Sequence, residues 1–265
     1  MSAGEHARLL GPLAKLAVAA GHRILATAPS DLLPRSKVDL SPVTAADEAA
    51  EEVLREGLMR ILPGIPVIAE EGVSAGDLPE PGDEFFLVDP LDGTREFLAG
   101  CGEYAVNVAL VSNGIPKVGV IYAPALGILY AGSEGNALRA AIAPGGDFDQ
   151  AQATPIRARP RPQRLVAAVS RSHPDSETEQ FLETLSIERR LVIGSALKFA
   201  AIAEGLADIY PRLVSLSEWD VAAGHALVTA AGGSVQGPDG RVLSYGGRSG
   251  NFRLGGFIAW GAAPA

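Results

Sequence analysis

Apolar residues recur three and four positions apart in the first part of the chain, which is the spacing of an amphipathic helix. This pattern predicts a helix over residues 5–27. A second helix is predicted over residues 44–61, because Thr44 and Asp47 have the spacing of a capping box and Pro63 ends the pattern. Two helices are therefore expected before the first strand.

Strand-like segments fill the middle of the chain, where short apolar runs are bounded by glycine, proline or asparagine. The predicted strands are Val67–Ala69, Phe85–Val88, Tyr104–Val111, Lys117–Tyr122 and Ile128–Ala131. The last three form a predicted meander, because Asn113-Gly114 and Pro124–Gly127 supply turn residues between them.

The second half alternates strands with helices after a connection rich in proline and arginine at residues 144–163. The predicted strands are Leu165–Val169, Leu191–Ile193 and Asp208–Tyr210, and the predicted helices are residues 175–185, 195–204 and 218–231. Such alternation is typical of a layered α/β lobe. We therefore divide the chain into an α+β lobe at residues 1–150 and an α/β lobe at residues 151–265, packed as one compact unit.

Composition narrows the classes of function. The 265 residues carry 22 Lys and Arg against 31 Asp and Glu, so the formal net charge is −9. This acidic balance argues against a nucleic acid polymer as partner, since binding to a duplex needs a basic surface. No apolar run is long enough for an integral membrane segment, and the first residues lack the basic start of a signal peptide. The single cysteine, Cys101, excludes an intrachain disulfide and suits a reducing cytoplasm.

Two acidic residues follow one apolar strand closely. Asp89 ends the strand and Asp92 lies three residues later, with Pro90 and Gly93 imposing a tight turn. Such a turn can direct both carboxylates to one point, and the Leu91 carbonyl between them adds another oxygen. Hard cations such as Mg²⁺ take oxygen ligands of this kind.

Other acids have both a functional and a purely structural interpretation. Glu70 and Glu71 end a predicted strand and could simply be solvated there. Two serine or threonine residues precede an acid at capping-box spacing, which alone explains an acid in the first turn of a helix. These pairs are Thr44 with Asp47 and Ser217 with Asp220.

Phosphatases differ in the group that attacks the phosphate, and several classes are excluded because the chain lacks the residues they need. Cys101 has no phosphate-cradling loop with a following arginine, and Asp89 and Asp92 are one residue too far apart for the usual aspartyl-phosphate motif. The four histidines show no paired spacing for zinc. Direct attack on a phosphate ester by metal-activated water is the phosphatase chemistry that remains.

Two motifs carry a resemblance to a known family. They are Asp89-Pro-Leu-Asp-Gly-Thr94 and Trp219-Asp-Val-Ala-Ala-Gly224, with Glu70-Glu71 upstream of both. In this order they resemble the inositol monophosphatase superfamily of lithium-sensitive, Mg²⁺-dependent phosphatases, over about residues 5–260. The resemblance implies a mixed α+β and α/β fold, the five-layer αβαβα sandwich of the inositol monophosphatase/fructose-1,6-bisphosphatase type, with the active site between the lobes.

Within that superfamily the chain is most similar to the CysQ branch, the 3′(2′),5′-bisphosphate nucleotidases. The segments that carry this similarity are Ser41–Asp47, Val169–His173, Gly194–Phe199 and Tyr210–Arg212. The chain departs from the pattern of this branch at Leu213–Glu218 and Phe252–Phe257. Neither departure removes an expected metal ligand, but both lie where a substrate pocket is expected to be shaped.

The resemblance implies a role for each matching residue. Two Mg²⁺ ions, and a third weaker one near Glu70, would be held by Glu70, Asp89, the Leu91 carbonyl, Asp92 and Asp220. Thr94, paired with Asp47, would orient the attacking water, while the Gly93 and Thr94 amides would bind the phosphate. Asp220 would also face the substrate. The second phosphate, ribose or base of a nucleotide would be contacted by Ser170, His173, Ser195, Lys198 and Arg212.

Several of these residues have a structural alternative. Lys198 could be a surface lysine on its helix, His173 a loop residue, and Arg212 the structural partner of an acid. Trp219 is predicted to pack in the core and to orient Asp220.

The activity implied by the resemblance is removal of the 3′-phosphate from adenosine 3′,5′-bisphosphate to give AMP. It also implies 3′-phosphoadenylyl sulfate as a second candidate substrate, a setting in sulfur assimilation, inhibition by Li⁺ and a cytoplasmic location. The alternatives are an inositol-1-phosphate or sugar-phosphate monophosphatase and, in another class, a non-catalytic regulator that binds metal or nucleotide. A homodimer and peripheral attachment to the inner face of the cell membrane stay open.

Overall fold

The computed structural model describes residues 1–27, 35–36, 42–247 and 252–264. Ser41, which belongs to one of the segments that carry the family resemblance, lies outside the described residues. A short antiparallel strand pair, β1 at Arg35–Ser36 and β2 at Pro42–Val43, comes before the second helix.

Seven strands form the larger sheet, and their order along the chain is also their order in space. They are β3 (Val67–Ala69), β4 (Glu84–Asp92), β5 (Ala105–Ser112), β6 (Ile115–Ala123), β7 (Ile128–Ser133), β8 (Asn136–Ala141) and β9 (Thr154–Pro155). β3 runs parallel to β4, and every later pair is antiparallel. This sheet therefore extends past residue 150, where the sequence divides the lobes.

Five strands from the second half form a smaller mixed sheet in the order β11-β10-β12-β16-β14. They are β10 (Leu165–Ser170), β11 (Ile187–Ile193), β12 (Ile209–Arg212), β14 (Ser234–Gln236) and β16 (Phe257–Trp260). β10 is parallel to both of its neighbours, whereas β16 is antiparallel to both of its own. A separate pair joins β13 (Leu216–Ser217) to β15 (Arg253–Leu254).

The described residues also form seven α-helices. They are α1 (Ala3–Leu25), α2 (Ala45–Ile61), α3 (Glu70–Ser74), α4 (Thr94–Leu98), α5 (Ser176–Glu183), α6 (Leu197–Ala203) and α7 (Glu218–Ala230). None of them is long and apolar enough to cross a bilayer.

The alternation of side chains along two strands shows how the layers stack. Phe86 and Val88 of β4 join the cluster formed with α1 and α2, while Phe85 and Leu87 join the cluster that contains α6 and α7. Successive strand residues face opposite sides of a sheet. In the smaller sheet, β10 likewise divides its residues between the α6–α7 cluster and a cluster with α5. The layers are thus α1–α2, larger sheet, α6–α7, smaller sheet and α5, which confirms the expected αβαβα fold class.

Several elements differ from the sequence expectation. The expectation of two helices before the first strand is wrong, because β1 and β2 precede α2. The strands β8, β13, β14, β15 and β16 and the helix α3 were not predicted either, and the strand expected at Leu191–Ile193 begins at Ile187. β11 is mostly exposed or half-buried, so its first residues lack the apolar run that marks a buried strand. The connection at residues 144–163 contains β9 and a 3₁₀ turn at Gln150–Gln152.

Helix α7 lies unusually close to the larger sheet. A Cβ atom added at Gly119 of β6 would stand 2.2 Å from the Ala223 carbonyl oxygen of α7, and one at Gly132 of β7 would stand 2.8 Å from the Leu227 Cα. Backbone atoms cannot move aside as the end of a side chain can. The two glycines therefore set the distance at which α7 can carry its residues beside the strands.

We predict that Gly119→Ala lowers the free energy of unfolding by about 1–3 kcal/mol, because overpacking forces α7 away from β6. Urea denaturation followed by circular dichroism measures the change. The matched control is Gly4→Ala in the first turn of α1, where an added Cβ meets nothing within 4 Å. Equal stability of the two variants would contradict the close approach of α7.

Candidate active site

The Asp89–Thr94 turn lies at the carboxyl end of β4. Asp89 pairs with Asn107 of β5 and Asp92 with Ala105, so β4 contains one extra residue between the two acids. In a regular strand, residues three apart face opposite sides, and a bulge changes this direction. Asp89 and Asp92 accordingly line the same cavity.

Gly93 is required by both the conformation and the space in this turn. Its φ angle is 92°, in the left-handed region. A Cβ atom there would lie 3.2 Å from the Ser195 Cβ and 3.3 Å from the Glu103 carbonyl oxygen. Glycine thus lets the backbone of the turn approach the second half of the chain and begin α4.

Asp47 is both a helix cap and a partner of Thr94. Its Oδ2 accepts hydrogen bonds from the Thr44 N–H at 2.8 Å and the Thr44 hydroxyl at 2.6 Å. Its Oδ1 accepts one from the Thr94 hydroxyl at 3.2 Å. The Thr94 Oγ1 also lies 3.2 Å from the Leu91 carbonyl oxygen. The two interpretations of the capping box are therefore compatible.

Two more acids enter the site from the first turns of helices. Glu70 begins α3 directly after β3, is half-buried and lines the cavity, so its interpretation as a solvated strand end is wrong. Asp220 lies in the first turn of α7, where its Oδ2 accepts the Ser217 N–H at 3.0 Å. Trp219 is buried beside Phe252, with ring centroids 6.5 Å apart, as predicted for a core residue.

A cavity of about 330 Å³ collects the expected site residues from both halves of the chain. Its lining includes Glu70, Asp89, Leu91, Asp92, Gly93, Thr94, Ser170, His173, Ser195, Lys198, Arg212 and Asp220. Asp47 contacts the cavity through Thr94. The structure thus brings together all the residues to which the family resemblance assigns a role.

The acids in this cavity repel one another. Burial is the main cause that raises the pKa of Asp92 to about 6, and Glu70 adds to it, whereas Lys198 and the Ala196 N–H oppose it. Burial also raises the pKa of Asp220 well above its ordinary value, with further contributions from Glu70 and Asp92. A cluster of this kind favours positive charge in the cavity.

The donor set fits a hard divalent cation by its chemistry. Five carboxylates and Leu91 line one cavity, and Mg²⁺ prefers oxygen ligands. In the described part of the chain, no three carboxylates, imidazoles or thiols form a ligand group for one ion as they stand. Three carboxylates would therefore have to draw together to share one Mg²⁺ ion, and water and substrate phosphate would complete its shell.

Basic residues also line this cavity, among them Arg212, His173 and Lys198. Arg212 donates hydrogen bonds to the His173 carbonyl oxygen and, at 3.1 Å, to the Asp175 carboxylate. Arg212 therefore has the structural ion pair that the sequence allowed and still lines the cavity. Burial lowers the pKa of His173, and the positive charges of Arg95 and Arg212 lower it further. The His173 N–H donates to the Ser170 hydroxyl oxygen at 3.2 Å, which fixes this loop.

Lys198 is only 4% exposed, so the surface-lysine alternative is wrong. Its Nζ donates to the Ser195 carbonyl oxygen at 2.6 Å and lies 5.3 Å from the centroid of the Tyr210 ring. Burial lowers its pKa to about 8, against the attraction of Asp92. Ser195 has a φ angle of 50°, and its buried hydroxyl has no hydrogen-bond partner among the described residues.

Two glutamates that the sequence did not single out join the halves of the chain beside the cavity. Glu96 is buried in α4 and accepts a hydrogen bond from the Ser172 hydroxyl. Glu103 accepts two hydrogen bonds from Arg171, both at 2.9 Å, and one from the Gly194 N–H at 2.6 Å. The loops after β10 and β11 are thereby held against the first half of the chain. The only feature of the local sequence that could have pointed to Glu96 is its position two residues after Thr94.

The fold and the acidic cavity are those expected of a phosphatase that works with a metal ion. Comparison with known proteins identifies the family. The model of the inositol monophosphatase family matches residues 8–257, so the chain belongs to that family. Members of the family are phosphatases that depend on Mg²⁺.

Individual relatives narrow the position within the family. The chain is 40% identical over 241 residues to the 3′(2′),5′-bisphosphate nucleotidase CysQ of Escherichia coli, covering 89% of this chain and 94% of the relative. The crystal structure of CysQ from Bacteroides thetaiotaomicron aligns with a TM-score of 0.79 and 33% identity over 97% of each chain. The inositol monophosphatase of Anabaena aligns with a TM-score of 0.74 and 27% identity, over 98% of this chain and 92% of the other.

We predict that Asp92→Asn stabilises the metal-free protein at pH 8. Because the folded-state pKa of Asp92 is raised to about 6, the stability linked to its protonated form is lost as the pH rises through that value. The stability gained by replacing the carboxylate with an amide is therefore largest at pH 8, and it disappears below about pH 4, the pKa of an exposed aspartate. Unfolding midpoints measured in chelator across this range test the sign.

The matched control is Asp239→Asn, a change at an exposed loop acid. It is expected to leave the pH dependence of the wild-type protein unchanged. An Asp92→Asn midpoint at or below that of the wild type at pH 8 would count against repulsion in the cavity.

Proposed function

We propose that the chain is a Mg²⁺-dependent phosphatase that removes the 3′-phosphate of adenosine 3′,5′-bisphosphate to give AMP. One observation carries the proposal: a single cavity is lined both by carboxylates and by Lys198, His173 and Arg212. Such a cavity suits a substrate that has a reacting phosphate near the carboxylates and a second anionic group near the basic residues. The 40% identity to a bisphosphate nucleotidase supports this choice.

The metal ligands follow from the oxygen donors. We assign Glu70, Asp89 and the Leu91 carbonyl to one Mg²⁺ ion and Asp89, Asp92 and Asp220 to a second, with a third, weaker position near Glu70. When bound, the ions supply Lewis-acid polarisation of the phosphoryl oxygens and a lowered pKa of water. Li⁺ is proposed as an inhibitor that competes for one of these positions.

The water-orienting pair is Thr94 with Asp47. Because the Thr94 hydroxyl donates its proton toward Asp47, its oxygen lone pairs are available to accept a hydrogen bond from water. Asp47 is 1% exposed and is fixed by Thr44, so the pair holds its orientation before substrate binds. Thr94 thus positions the water and offers its proton a path to Asp47.

The phosphate and the rest of the substrate would be held on both sides of the turn. The backbone amides of Gly93 and Thr94 begin α4 and are assigned to the reacting phosphate. The second phosphate, ribose or base is assigned to Ser170, His173, Ser195, Lys198 and Arg212, with Asp220 also facing the substrate. The ion pair of Arg212 with Asp175 pre-orients that guanidinium, which reduces the entropy lost on binding.

The biological setting forms the outer part of the proposal. 3′-Phosphoadenylyl sulfate is a second candidate substrate because it carries the same 3′-phosphate. The proposed setting is sulfur assimilation, and the proposed location is the cytoplasm. A homodimer and peripheral attachment to the inner face of the cell membrane are extensions that sedimentation analysis, without and with lipid vesicles, can test.

We predict that Thr94→Val lowers kcat at least about 100-fold, because the methyl group can neither orient water nor donate to Asp47. The KM for substrate should change less, since the hydroxyl is assigned to the water. Initial rates at saturating Mg²⁺ measure both quantities. Thr229→Val on the exposed face of α7 is the control and should retain the wild-type rate. A Thr94→Val enzyme with normal kcat would refute the pair.

We predict Mg²⁺-dependent release of phosphate from adenosine 3′,5′-bisphosphate, and a kcat/KM for it at least about tenfold above that for inositol 1-phosphate, because only the nucleotide offers a second phosphate to the basic residues of the cavity. Phosphate release from the two substrates, with Mg²⁺ or with chelator, is the measurement.

A preference for inositol 1-phosphate would retain the metal site and overturn the nucleotide assignment. Tight binding of Mg²⁺ and nucleotide without release of phosphate would instead favour a non-catalytic regulator.

A further inference from the structure

Helix α2 presents charged residues at four-residue spacing toward the active site. Asp47, in its first turn, contacts Thr94. Glu51, one turn later, directs its carboxylate to the start of α3. Residues four apart lie on one face of a helix. The same face of α2 therefore reaches both the water-orienting pair and the short helix that begins with Glu70.

The Glu51 carboxylate binds the two peptide groups that directly follow Glu70. Its Oε2 accepts the Glu71 N–H at 2.8 Å, and its Oε1 accepts the Gly72 N–H at 2.8 Å. The residue at the N-cap of α3 is Ala69, which offers no side-chain acceptor. The cap that a serine or aspartate usually provides comes here from a neighbouring helix.

The contact is built into the packing between α2 and α3. Glu51 is only 6% exposed, and a buried carboxylate is costly unless hydrogen bonds satisfy it. A Cβ atom at Gly72 would lie 2.5 Å from an Arg55 terminal nitrogen and 3.3 Å from the Glu51 Oε1. A side chain at position 72 would therefore displace the end of the Arg55 side chain and crowd the Glu51 carboxylate, on which α3 directly lies.

The nearby residues tighten the same contact. The Arg55 guanidinium lies 3.8 Å from the Glu51 Oε1 and donates to Asp77 at 2.7 Å. Asp77 follows α3, so Arg55 links α2 to the far end of that helix. The five residues of α3 are too few to be stable alone, and their orientation is set by these contacts.

We propose that Glu51 is a positioning residue that fixes Glu70 relative to the Asp47–Thr94 pair and thereby sets the affinity for Mg²⁺. The inference rests on the proposed role of Glu70 as a metal ligand. Glu51 does not contact the substrate. It acts through the backbone of Glu71 and Gly72, and its charge adds to the negative potential that attracts a cation.

The test compares Glu51→Gln with Glu52→Gln, an exposed glutamate one position further along α2. The amide of Glu51→Gln keeps the length of the side chain but has only one oxygen, so its nitrogen faces a backbone N–H. Mg²⁺ is titrated into each metal-free protein by calorimetry, with no substrate present. The Mg²⁺ concentration at half-maximal rate is measured separately.

For Glu51→Gln, we expect the Mg²⁺ dissociation constant to rise at least about tenfold, the range seen when groups behind metal ligands are changed. The Mg²⁺ concentration at half-maximal rate should rise by a larger factor than kcat falls at saturating Mg²⁺. Glu52→Gln should match the wild type in both measurements. A variant that had only lost stability would show a lower unfolding midpoint and an unchanged Mg²⁺ dissociation constant.

Unchanged Mg²⁺ affinity in a folded Glu51→Gln protein would overturn the inference, as would an equal effect of Glu52→Gln. Titration of the wild-type protein distinguishes a failure of this inference from a failure of the proposed function. Wild-type protein that binds Mg²⁺ but does not hydrolyse the nucleotide would refute the activity, and the comparison of variants would still decide the role of Glu51.

Discussion

The burial of several carboxylates in one cavity is the constraint on which the rest of the site depends. Burial is the main cause that raises the pKa of Asp92 and of Asp220, Glu70 raises both further, and Asp92 adds to the shift of Asp220. Backbone N–H groups hold them there without neutralising them: Ala196 donates to Asp92, and Ser217 donates to Asp220. This arrangement lowers the stability of the metal-free fold. A cation that neutralises the carboxylates would recover the lost free energy as binding affinity.

Holding these charges together requires helices that lie closer to their neighbours than ordinary side chains permit. Gly119 and Gly132 let α7, which carries Asp220, approach the larger sheet. Gly57 brings α2 close to α1, where a Cβ would stand 2.2 Å from a Leu16 methyl. Gly93 lets the turn meet the loop at Ser195. Close approach thus brings acidic and basic residues from both halves of the chain into one cavity.

The features that could be predicted from the sequence are those written in local patterns. The Asp89–Thr94 turn, the capping boxes and the long amphipathic helices each depend on residues within a few positions of one another. The burial of Lys198 could not be predicted, because Tyr210 and Asp92 come from distant parts of the chain. The late strands β14–β16 were missed since two to four residues give no measurable periodicity. Glu51 reads as one more acid on an amphipathic helix, and only the position of α3 shows what it binds.

Capping and the proposed chemistry fall on the same side chains, and this explains why the structural and functional interpretations were hard to separate. A carboxylate has two oxygens, and in Asp47 one accepts the Thr44 donors while the other accepts Thr94. A carboxylate already fixed by a helix terminus does not need to be ordered when substrate arrives, which is the preorganisation that catalysis by positioning requires. Asp220 is fixed in the same way, because it accepts the Ser217 N–H at the start of α7. The first turns of the helices therefore orient the carboxylates, and the packing of the fold keeps them rigid.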